Sequence, residues 1–176
     1  MSPNPALIFK VCLFADNKVG KKLLISKFLK VQFEDKPDTS LTIGIKFTIK
    51  DVKINEKIIR LSVWEFCSRE PFKNHISNYL VGSQGILLMY DITNPQTLEI
   101  LAEWSEIIKK KIREGIPLLL VGNKLDLEEN RKVSKELVNK FKENYNITSS
   151  VEISIKTGEN VEEMFKILAR LIINSK

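Results

Sequence analysis

The sequence predicts an α/β protein, built as a three-layer sandwich around a six-stranded, mostly parallel sheet with one antiparallel hairpin strand. Short apolar runs typical of buried strands alternate along the chain with segments whose apolar residues recur at helical spacing. Ile43–Ile54 and Lys57–Trp64 each alternate between polar and apolar residues and are separated only by Asn55-Glu56, which predicts a hairpin. Because strands that alternate with helices pack as a parallel sheet covered on both faces, these observations predict the sandwich.

The first half of the chain supplies a strand, a helix and a loop before the hairpin. Ala6–Phe14 is apolar except for Lys10, as expected of a strand buried on both faces. Gly20–Val31 has apolar residues at helical spacing. Gln32–Leu41 is mostly polar and contains Pro37, so it is predicted to be a loop.

The second half continues the alternation of strands and helices. Further buried strands are predicted at Gly85–Tyr90, Pro117–Val121 and Val151–Ile155. A short helix is predicted at Phe72–Val81, and three later helices begin at recognisable caps. The caps are Asn94 followed by Pro95, Ser134 before the helix Lys135–Asn144, and Asn160, which resembles a capping box with Glu163. Ligands in such sheets bind at the carboxyl ends of the strands, so the loops there are the candidate site.

Composition limits the classes of protein that fit. A length of 176 residues predicts one domain over residues 1–176. Two cysteines and one histidine exclude a disulfide framework and a Cys/His zinc site, and they indicate a reducing compartment such as the cytoplasm. The sequence has no apolar run near the roughly 18 residues of a membrane span, no signal-peptide pattern and no C-terminal cysteine for prenylation, so no encoded lipid anchor is expected.

The net charge of +6 does not by itself point to a nucleic-acid partner. Lys109, Lys110, Lys111 and Arg113 lie among glutamates, which predicts a solvated helix face. A polyanion-binding patch is the alternative, but no nucleic-acid motif supports it. We therefore expect no nucleic-acid partner.

A phosphate-binding loop is predicted between the first strand and the first helix. The segment Ala15–Lys22 reads A-D-N-K-V-G-K-K, against the general pattern G-x-x-x-x-G-K-[ST]. Ala15 replaces the first glycine, and Lys22 replaces the hydroxyl residue that holds Mg²⁺. Backbone N–H groups and the helix N-terminus face the phosphates in such loops. The candidate contacts are Asp16, Asn17, Lys18, Val19, Gly20, Lys21, Lys22 and Leu23. A charged first helical turn that binds no ligand is the alternative.

A guanine-binding loop is predicted after the buried strand that precedes residue 122. The pattern N-K-x-D runs there from Asn123 to Asp126, whose carboxylate can accept both N–H groups of guanine's Watson–Crick edge; adenine does not offer them. Asn123 can tie the neighbouring loops together, and the stem of Lys124 can cover one face of the ring. Ser154-Ile155-Lys156, at the end of the last strand, supplies a second element. A polar turn without a ligand is the alternative.

Together these features resemble the Ras superfamily of small GTP-binding proteins, and in particular its Rab-like branch, over nearly the whole chain. Thr42–Ile45 resembles the end of switch I, and Trp64–Glu70 stands where the family has W-D-T-A-G-Q-E. Met89–Asn94 resembles the strand-to-helix junction after switch II. The resemblance implies the P-loop NTPase fold and a molecular switch that binds GTP and GDP.

The resemblance also implies roles for single residues. It places Phe33 against the guanine ring, and Thr42 and Glu65 beside Mg²⁺. A core position just past the first helix is the alternative for Phe33. Effector or regulatory proteins are expected to bind switch I (Phe33–Gly44) and switch II (Glu65–Tyr79), and a monomer is expected.

Several residues depart from the family's catalytic pattern. Lys22 has an ammonium group without a lone pair, so Mg²⁺ is expected to be weakly held, displaced, or held only by water, phosphate and Glu65. Arg69 replaces the glutamine that orients the attacking water, although as a built-in arginine finger it is the one candidate catalytic residue. Ser68 and Lys18 add bulk near the γ-phosphate. The sequence therefore predicts guanine-nucleotide binding with slow or absent hydrolysis.

Two other interpretations stay open at this point. A pseudo-GTPase would keep the fold as a protein-interaction module without nucleotide. A competent GTPase with a rewired site would use the charge of Lys22 in place of the metal and Arg69 as its own arginine finger. A metabolic kinase or ATPase is disfavoured, because N-K-x-D has no role in such an enzyme.

Overall fold

The computed structural model describes residues 4–31, 45–66 and 76–176, and these form one sheet with helices packed on it. The strands are β1 (Leu7–Ala15), β2 (Lys30–Val31), β3 (Ile45–Ile54), β4 (Lys57–Phe66), β5 (Gly85–Asp91), β6 (Leu118–Asn123) and β7 (Ser149–Glu152). The helices are α1 (Lys21–Phe28), α2 (Ile76–Leu80), α3 (Pro95–Lys111), α4 (Lys135–Tyr145) and α5 (Val161–Asn174). Two 3₁₀ segments, Asn17–Val19 and Leu125–Asn130, follow β1 and β6.

The sheet has the strand order β2-β3-β4-β1-β5-β6-β7. β1 lies parallel to both β4 and β5, and β6 lies parallel to β5 and β7. β3 is antiparallel to β4 and to the short β2. The predicted α/β class, mostly parallel sheet and antiparallel hairpin are therefore confirmed, with six principal strands and a two-residue strand added at one edge.

The added strand corrects the predicted helix over Gly20–Val31. Helix α1 ends at Phe28, because Leu29 adopts an extended backbone (φ −116°, ψ 149°) and buries its side chain in the core. Lys30 and Val31 then pair with β3 instead of continuing the helix. Two residues of strand at a sheet edge leave no periodic signal in the sequence, so the pattern of α1 extended over them.

The hairpin turns at Asn55-Glu56, as predicted. Both residues have positive φ, 45° for Asn55 and 64° for Glu56. Two successive left-handed residues make the tight connection that matches the twist of the flanking strands. Ile54 and Lys57 pair directly across the turn, which sets the register of the two ten-residue strands.

Two apolar cores lie on opposite faces of the sheet, and side chains of β1 alternate between them. Phe9, Val11 and Leu13 belong to the core that includes α1 and α5. Cys12 and Phe14 belong to the core that includes α2, α3 and α4. Each face of the sheet is thus covered by helices, and this is the predicted three-layer sandwich.

The predicted helix caps had mixed outcomes. The Asn94 side chain accepts a hydrogen bond from the Gln96 N–H at 3.2 Å, and Ser134 Oγ accepts from the Leu137 N–H at 3.2 Å, so both caps are confirmed. The capping box at Asn160 was wrong. Asn160 is left-handed (φ 59°), whereas a capping side chain needs an extended backbone. Its side-chain amide instead donates to the Glu152 carbonyl at 3.0 Å.

Several observed element boundaries also differ from the predicted ones. The last strand is Ser149–Glu152 rather than Val151–Ile155, so Ser154 lies in the loop after it. Within the predicted helix Phe72–Val81, the structure describes α2 from Ile76, and residues 72–75 lie outside the described ranges. None of the helices in residues 4–31, 45–66 and 76–176 combines the length and apolar character needed to cross a membrane.

Candidate nucleotide-binding site

Asn123, the last residue of β6, joins three loops at the carboxyl edge of the sheet. Its side-chain amide donates a hydrogen bond to the Val19 carbonyl at 2.6 Å, in the phosphate loop. Its side-chain oxygen accepts from the Ile155 N–H at 3.1 Å, in the loop after β7. The side chain is buried, so both bonds are shielded from water. The predicted tie between the loops is present in the structure.

Asp126 and Ser154 form the other part of this end of the site. Ser154 Oγ donates to Asp126 Oδ1 at 2.6 Å and accepts from the Thr157 N–H at 3.2 Å. The Lys156 ammonium lies 3.6 Å from Asp126 Oδ2. The hydrogen bond from Ser154, aided by the charge of Lys156, lowers the pKa of Asp126. The carboxylate is therefore ionised at neutral pH and is a ready acceptor for two N–H groups.

Lys124 is held by a partner that the sequence analysis did not identify. Its backbone is left-handed (φ 74°), and its ammonium forms a 2.5 Å ion pair with Asp91 Oδ2, at the end of β5. The other oxygen of Asp91 accepts a hydrogen bond from the Thr93 N–H at 2.8 Å. A lone acid at the end of an apolar strand was the available sequence signal. The pair fixes the direction of the Lys124 stem beside the N-K-x-D loop.

Arg131 clamps the two base-side loops together and was also missed. Its guanidinium bonds both oxygens of Glu128, at 2.8 and 2.5 Å, and both oxygens of Glu152, at 2.8 and 2.7 Å. Glu128 lies two residues after Asp126, and Glu152 lies two residues before Ser154. These bonds, chiefly the one to Glu152, raise the pKa of Arg131. Only the i,i+3 spacing to Glu128 was visible in the sequence.

The phosphate loop packs directly against Asn123 through Gly20. Gly20 has a φ of 103°, and a Cβ there would lie 2.8 Å from the Asn123 side-chain nitrogen. Backbone conformation and lack of space therefore both require glycine. Helix α1 begins at the next residue, Lys21, so its N-terminal N–H groups open onto the loop.

The lysines of this loop differ in their surroundings. Lys21 is buried, with its ammonium 3.3 Å from Glu65 Oε1 and 3.5 Å from the Ala15 carbonyl. Lys18 and Lys22 are exposed. Glu65 Oε2 is buried and has no hydrogen-bond partner among the described residues. One carboxylate oxygen at the edge of the loop is therefore left for a further donor or cation.

The described residues do not fit a magnesium site of the usual kind. Lys22 stands at the ligand position and has no lone pair to offer. Glu65 contributes one oxygen that has no partner in the described part of the chain. Across residues 4–31, 45–66 and 76–176, no group of three or more His, Cys, Asp or Glu side chains is arranged to hold a metal ion. Thr42, the other predicted ligand, lies outside these ranges.

The structure thus brings together most of the predicted binding residues. Those at the shared edge of the sheet, at the ends of β1, β4, β6 and β7, in the loops that follow or in the first turn of α1, are Asp16, Asn17, Lys18, Val19, Gly20, Lys21, Lys22, Leu23, Glu65, Asn123, Lys124, Asp126, Ser154, Ile155 and Lys156. Leu23 lies on the exposed side of α1, at 39% exposure. The predicted residues Phe33, Thr42, Ser68 and Arg69, with all of switch I before Ile45, lie outside the described residues.

Comparisons with known proteins agree with this architecture. The Ras family model matches residues 10–174. The chain is 40% identical to the Ras-related protein Rab-13 of Bos taurus over 166 residues, which is 94% of this chain and 80% of that protein. It is 36% identical to the Ras-related protein Rab-1D of Dictyostelium discoideum over 174 residues (99% and 84%), and 36% identical to the Ras-related protein SEC4 of Candida albicans over 166 residues (94% and 78%). The predicted resemblance is confirmed.

Proposed function

The chain belongs to the Ras family and is a Rab-like small GTPase, a nucleotide-binding switch; from that premise we propose that its own hydrolysis of GTP is slow or absent. The protein would then signal through the nucleotide that it holds rather than through rapid turnover. We further propose that residues 1–176 work as one domain and that guanine is the base recognised.

The hydrogen-bond network around Asp126 is the observation that carries the choice of guanine. Asp126 is ionised and held in place by Ser154, and it can accept two N–H groups at once. An adenine edge presents an acceptor where guanine presents a donor, so it would set a lone pair against the carboxylate instead of an N–H group, and an unsatisfied acceptor costs more free energy than a bond contributes. Asn123 links this acceptor to the phosphate loop through Val19. Base and phosphates would therefore be held by one connected unit.

Slow hydrolysis is proposed from the residues at the phosphate end. Phosphoryl transfer needs a positioned water and stabilised charge, and little covalent chemistry from the protein. Arg69 has only N–H donors, so it cannot accept a hydrogen bond from the attacking water. Lys18 and Ser68 add bulk where the transition state would form. Any residual hydrolysis is assigned to Arg69 acting as an arginine finger in its own site.

Protein partners are proposed for the surface between the two switch segments. Switch I (Phe33–Gly44) leads into β3, and switch II (Glu65–Tyr79) begins near the end of β4. Phe47 and Trp64, on these two strands, pack edge to face with ring centroids 4.1 Å apart, and Phe47 is 39% exposed. An exposed Phe47 ring that packs on the half-buried Trp64 supports the binding of an effector or regulatory protein. We propose that the switch works as a cytoplasmic monomer.

A nucleotide-free interaction module is the second candidate. It is favoured by the Lys21–Glu65 ion pair, which already satisfies the phosphate-loop lysine without a ligand. The base end favours the nucleotide-binding switch, because a module without a nucleotide would not require a connected hydrogen-bond network around an ionised Asp126.

Binding and turnover measured on the same preparation test the proposal. We expect fluorescent GDP and GTP to bind saturably, excess GDP to displace them, and excess ADP to leave them bound. A single-turnover assay should then show little phosphate release, and Arg69→Ala should reduce whatever remains. Failure of guanine nucleotides to bind would favour the interaction module, whereas rapid phosphate release would favour a rewired but competent GTPase.

A further inference from the structure

We infer that the ammonium group of Lys22 takes the place of the divalent metal ion, so that this protein holds guanine nucleotides without magnesium. The inference rests on the proposed function, since it concerns the same site. At the phosphate end, Lys22 stands where magnesium requires an oxygen ligand, and its ammonium has no lone pair to offer.

Lys22 lies where a metal ligand is expected. It is the second residue of α1, at the end of the phosphate loop, where the general pattern has the metal-ligating Ser or Thr. Its side chain is exposed and makes no ion pair or hydrogen bond to any of the described residues. A side chain without a partner among the described residues is available to a ligand that arrives at the helix N-terminus.

The lysines of the phosphate loop carry the positive charge that a metal ion would otherwise supply. A bound Mg²⁺ would supply two positive charges to the phosphates. Lys18 and Lys22 supply the same formal charge, and both are exposed on the loop and its first helical turn. The first turn of α1 has no acidic residue, and the loop before it has one, Asp16, against the three lysines Lys18, Lys21 and Lys22. A metal ion added beside these ammonium groups would be repelled, whereas a polyphosphate would be attracted.

Glu65 engages the other lysine at the start of α1. One of its oxygens binds the buried Lys21 ammonium at 3.3 Å, and the other is buried without a described partner. A buried carboxylate oxygen is stabilised by an N–H donor or a cation. Lys21 is therefore already engaged by Glu65, whereas the exposed ammonium of Lys22, the next residue of α1, is available to phosphates at the same end of the helix. The metal's charge would thus be replaced by a group that the chain itself provides.

Nucleotide release with and without a chelator tests the inference. Fluorescent GDP is loaded onto the protein, and its release is followed after excess unlabelled GDP is added, in either magnesium chloride or EDTA. For the unaltered protein we expect the two rates to agree within about threefold, since no metal contributes to affinity. In EDTA, affinity should increase from GMP to GDP to GTP, because each phosphate adds negative charge.

Two variants distinguish a specific effect of Lys22 from a general effect of the protein's positive charge. Lys22→Ser should release GDP about tenfold faster than the unaltered protein in EDTA, and magnesium should slow that release, because a hydroxyl group is a metal ligand. Lys140→Ser removes the same charge from an exposed position on α4 and should behave like the unaltered protein.

Two results would overturn the inference while leaving the proposed function intact. One is release from the unaltered protein that EDTA accelerates about tenfold or more, which would show that a metal holds the nucleotide. The other is an Lys22→Ser variant that keeps GDP as long as the unaltered protein does in EDTA. If fluorescent nucleotide binds in neither buffer, the proposed function itself fails.

Discussion

The base end and the phosphate end of the site are built in contrasting ways. At the base end, Asn123, Asp126 and Ser154 each have hydrogen-bond partners within the chain, and these bonds connect three loops. At the phosphate end, Lys18 and Lys22 are exposed, and Glu65 has one buried oxygen with no hydrogen-bond partner among the described residues. The chain's own hydrogen bonds hold the Asn123 end in place, whereas the phosphate-loop end keeps charged groups that the described residues do not pair; under the proposed function, base recognition is therefore preorganised and the phosphate end is completed by the ligand's charge.

Breaking the ion pair at the phosphate end should have the largest effect on stability. Lys21→Met leaves the Glu65 carboxylate buried without its cation and should lower the free energy of unfolding by about 3 kcal/mol. Lys22→Met, one residue further along the same helix but exposed, should change it by less than about 0.5 kcal/mol. Urea unfolding of the nucleotide-free proteins measures both. Equal effects of the two substitutions would contradict the burial argument.

Altering the acceptor at the base end should have the largest effect on affinity. Asp126→Asn replaces an ionised acceptor of two N–H groups by an amide and should weaken GDP binding about 100-fold, since hydrogen bonds to charged groups contribute about 1.5–3 kcal/mol each. Glu129→Gln removes an exposed acid from the same turn and is the matched control. Calorimetric titration with GDP checks both, and a variant that bound as well as the control would show that Asp126 does not face the base.

The difference between what the sequence predicted and what it missed follows the presence of a binding pattern, not the range of the contacts. Asn123, Asp126 and Ser154 belong to short patterns that follow buried strands, so their roles were predicted even though Asn123 bonds Val19, 104 residues away. The ion pairs of Lys124 with Asp91 and of Arg131 with Glu152 belong to no such pattern, and neither leaves a local periodic signal. The predicted end of α1 was wrong because β2 is only two residues long. The predicted capping box at Asn160 was wrong because the backbone of Asn160 is left-handed.

The Arg131 clamp gives a test of the base end at a distance from the ligand. Arg131→Ala separates Glu128 from Glu152 and should speed GDP release about tenfold, because the loops that carry Asp126 and Ser154 lose their common anchor. Arg60→Ala breaks a similar bidentate pair with Asp51 on the hairpin. The rate of GDP release, measured by stopped flow, should be unchanged in that control. An equal acceleration in both variants would show that Arg131 contributes only to general stability.

The smallest expected effect concerns pH. The pKa of Asp126 in the folded protein is lowered below its ordinary 3.8, chiefly by Ser154, so the carboxylate contributes stability above 3.8 that is lost as pH falls through the lowered value. Ser154→Ala should therefore be less stable than the unaltered protein by a constant amount at neutral pH, and the difference should shrink below pH 3.8. Urea unfolding across pH 3 to 7 measures the difference in free energy of unfolding between the two proteins. A difference independent of pH would show that it does not arise from the ionisation of Asp126.

The nucleotide that accompanies the purified protein tests the central claim most directly. The protein is isolated without added nucleotide, denatured, and its released small molecules are separated by ion-exchange chromatography. Retained base recognition with slow hydrolysis predicts close to one guanine nucleotide per chain, with intact GTP forming a substantial share of it. An adenine nucleotide, or no nucleotide at all, would contradict the claim that the Asp126 end of the site is built to hold guanine.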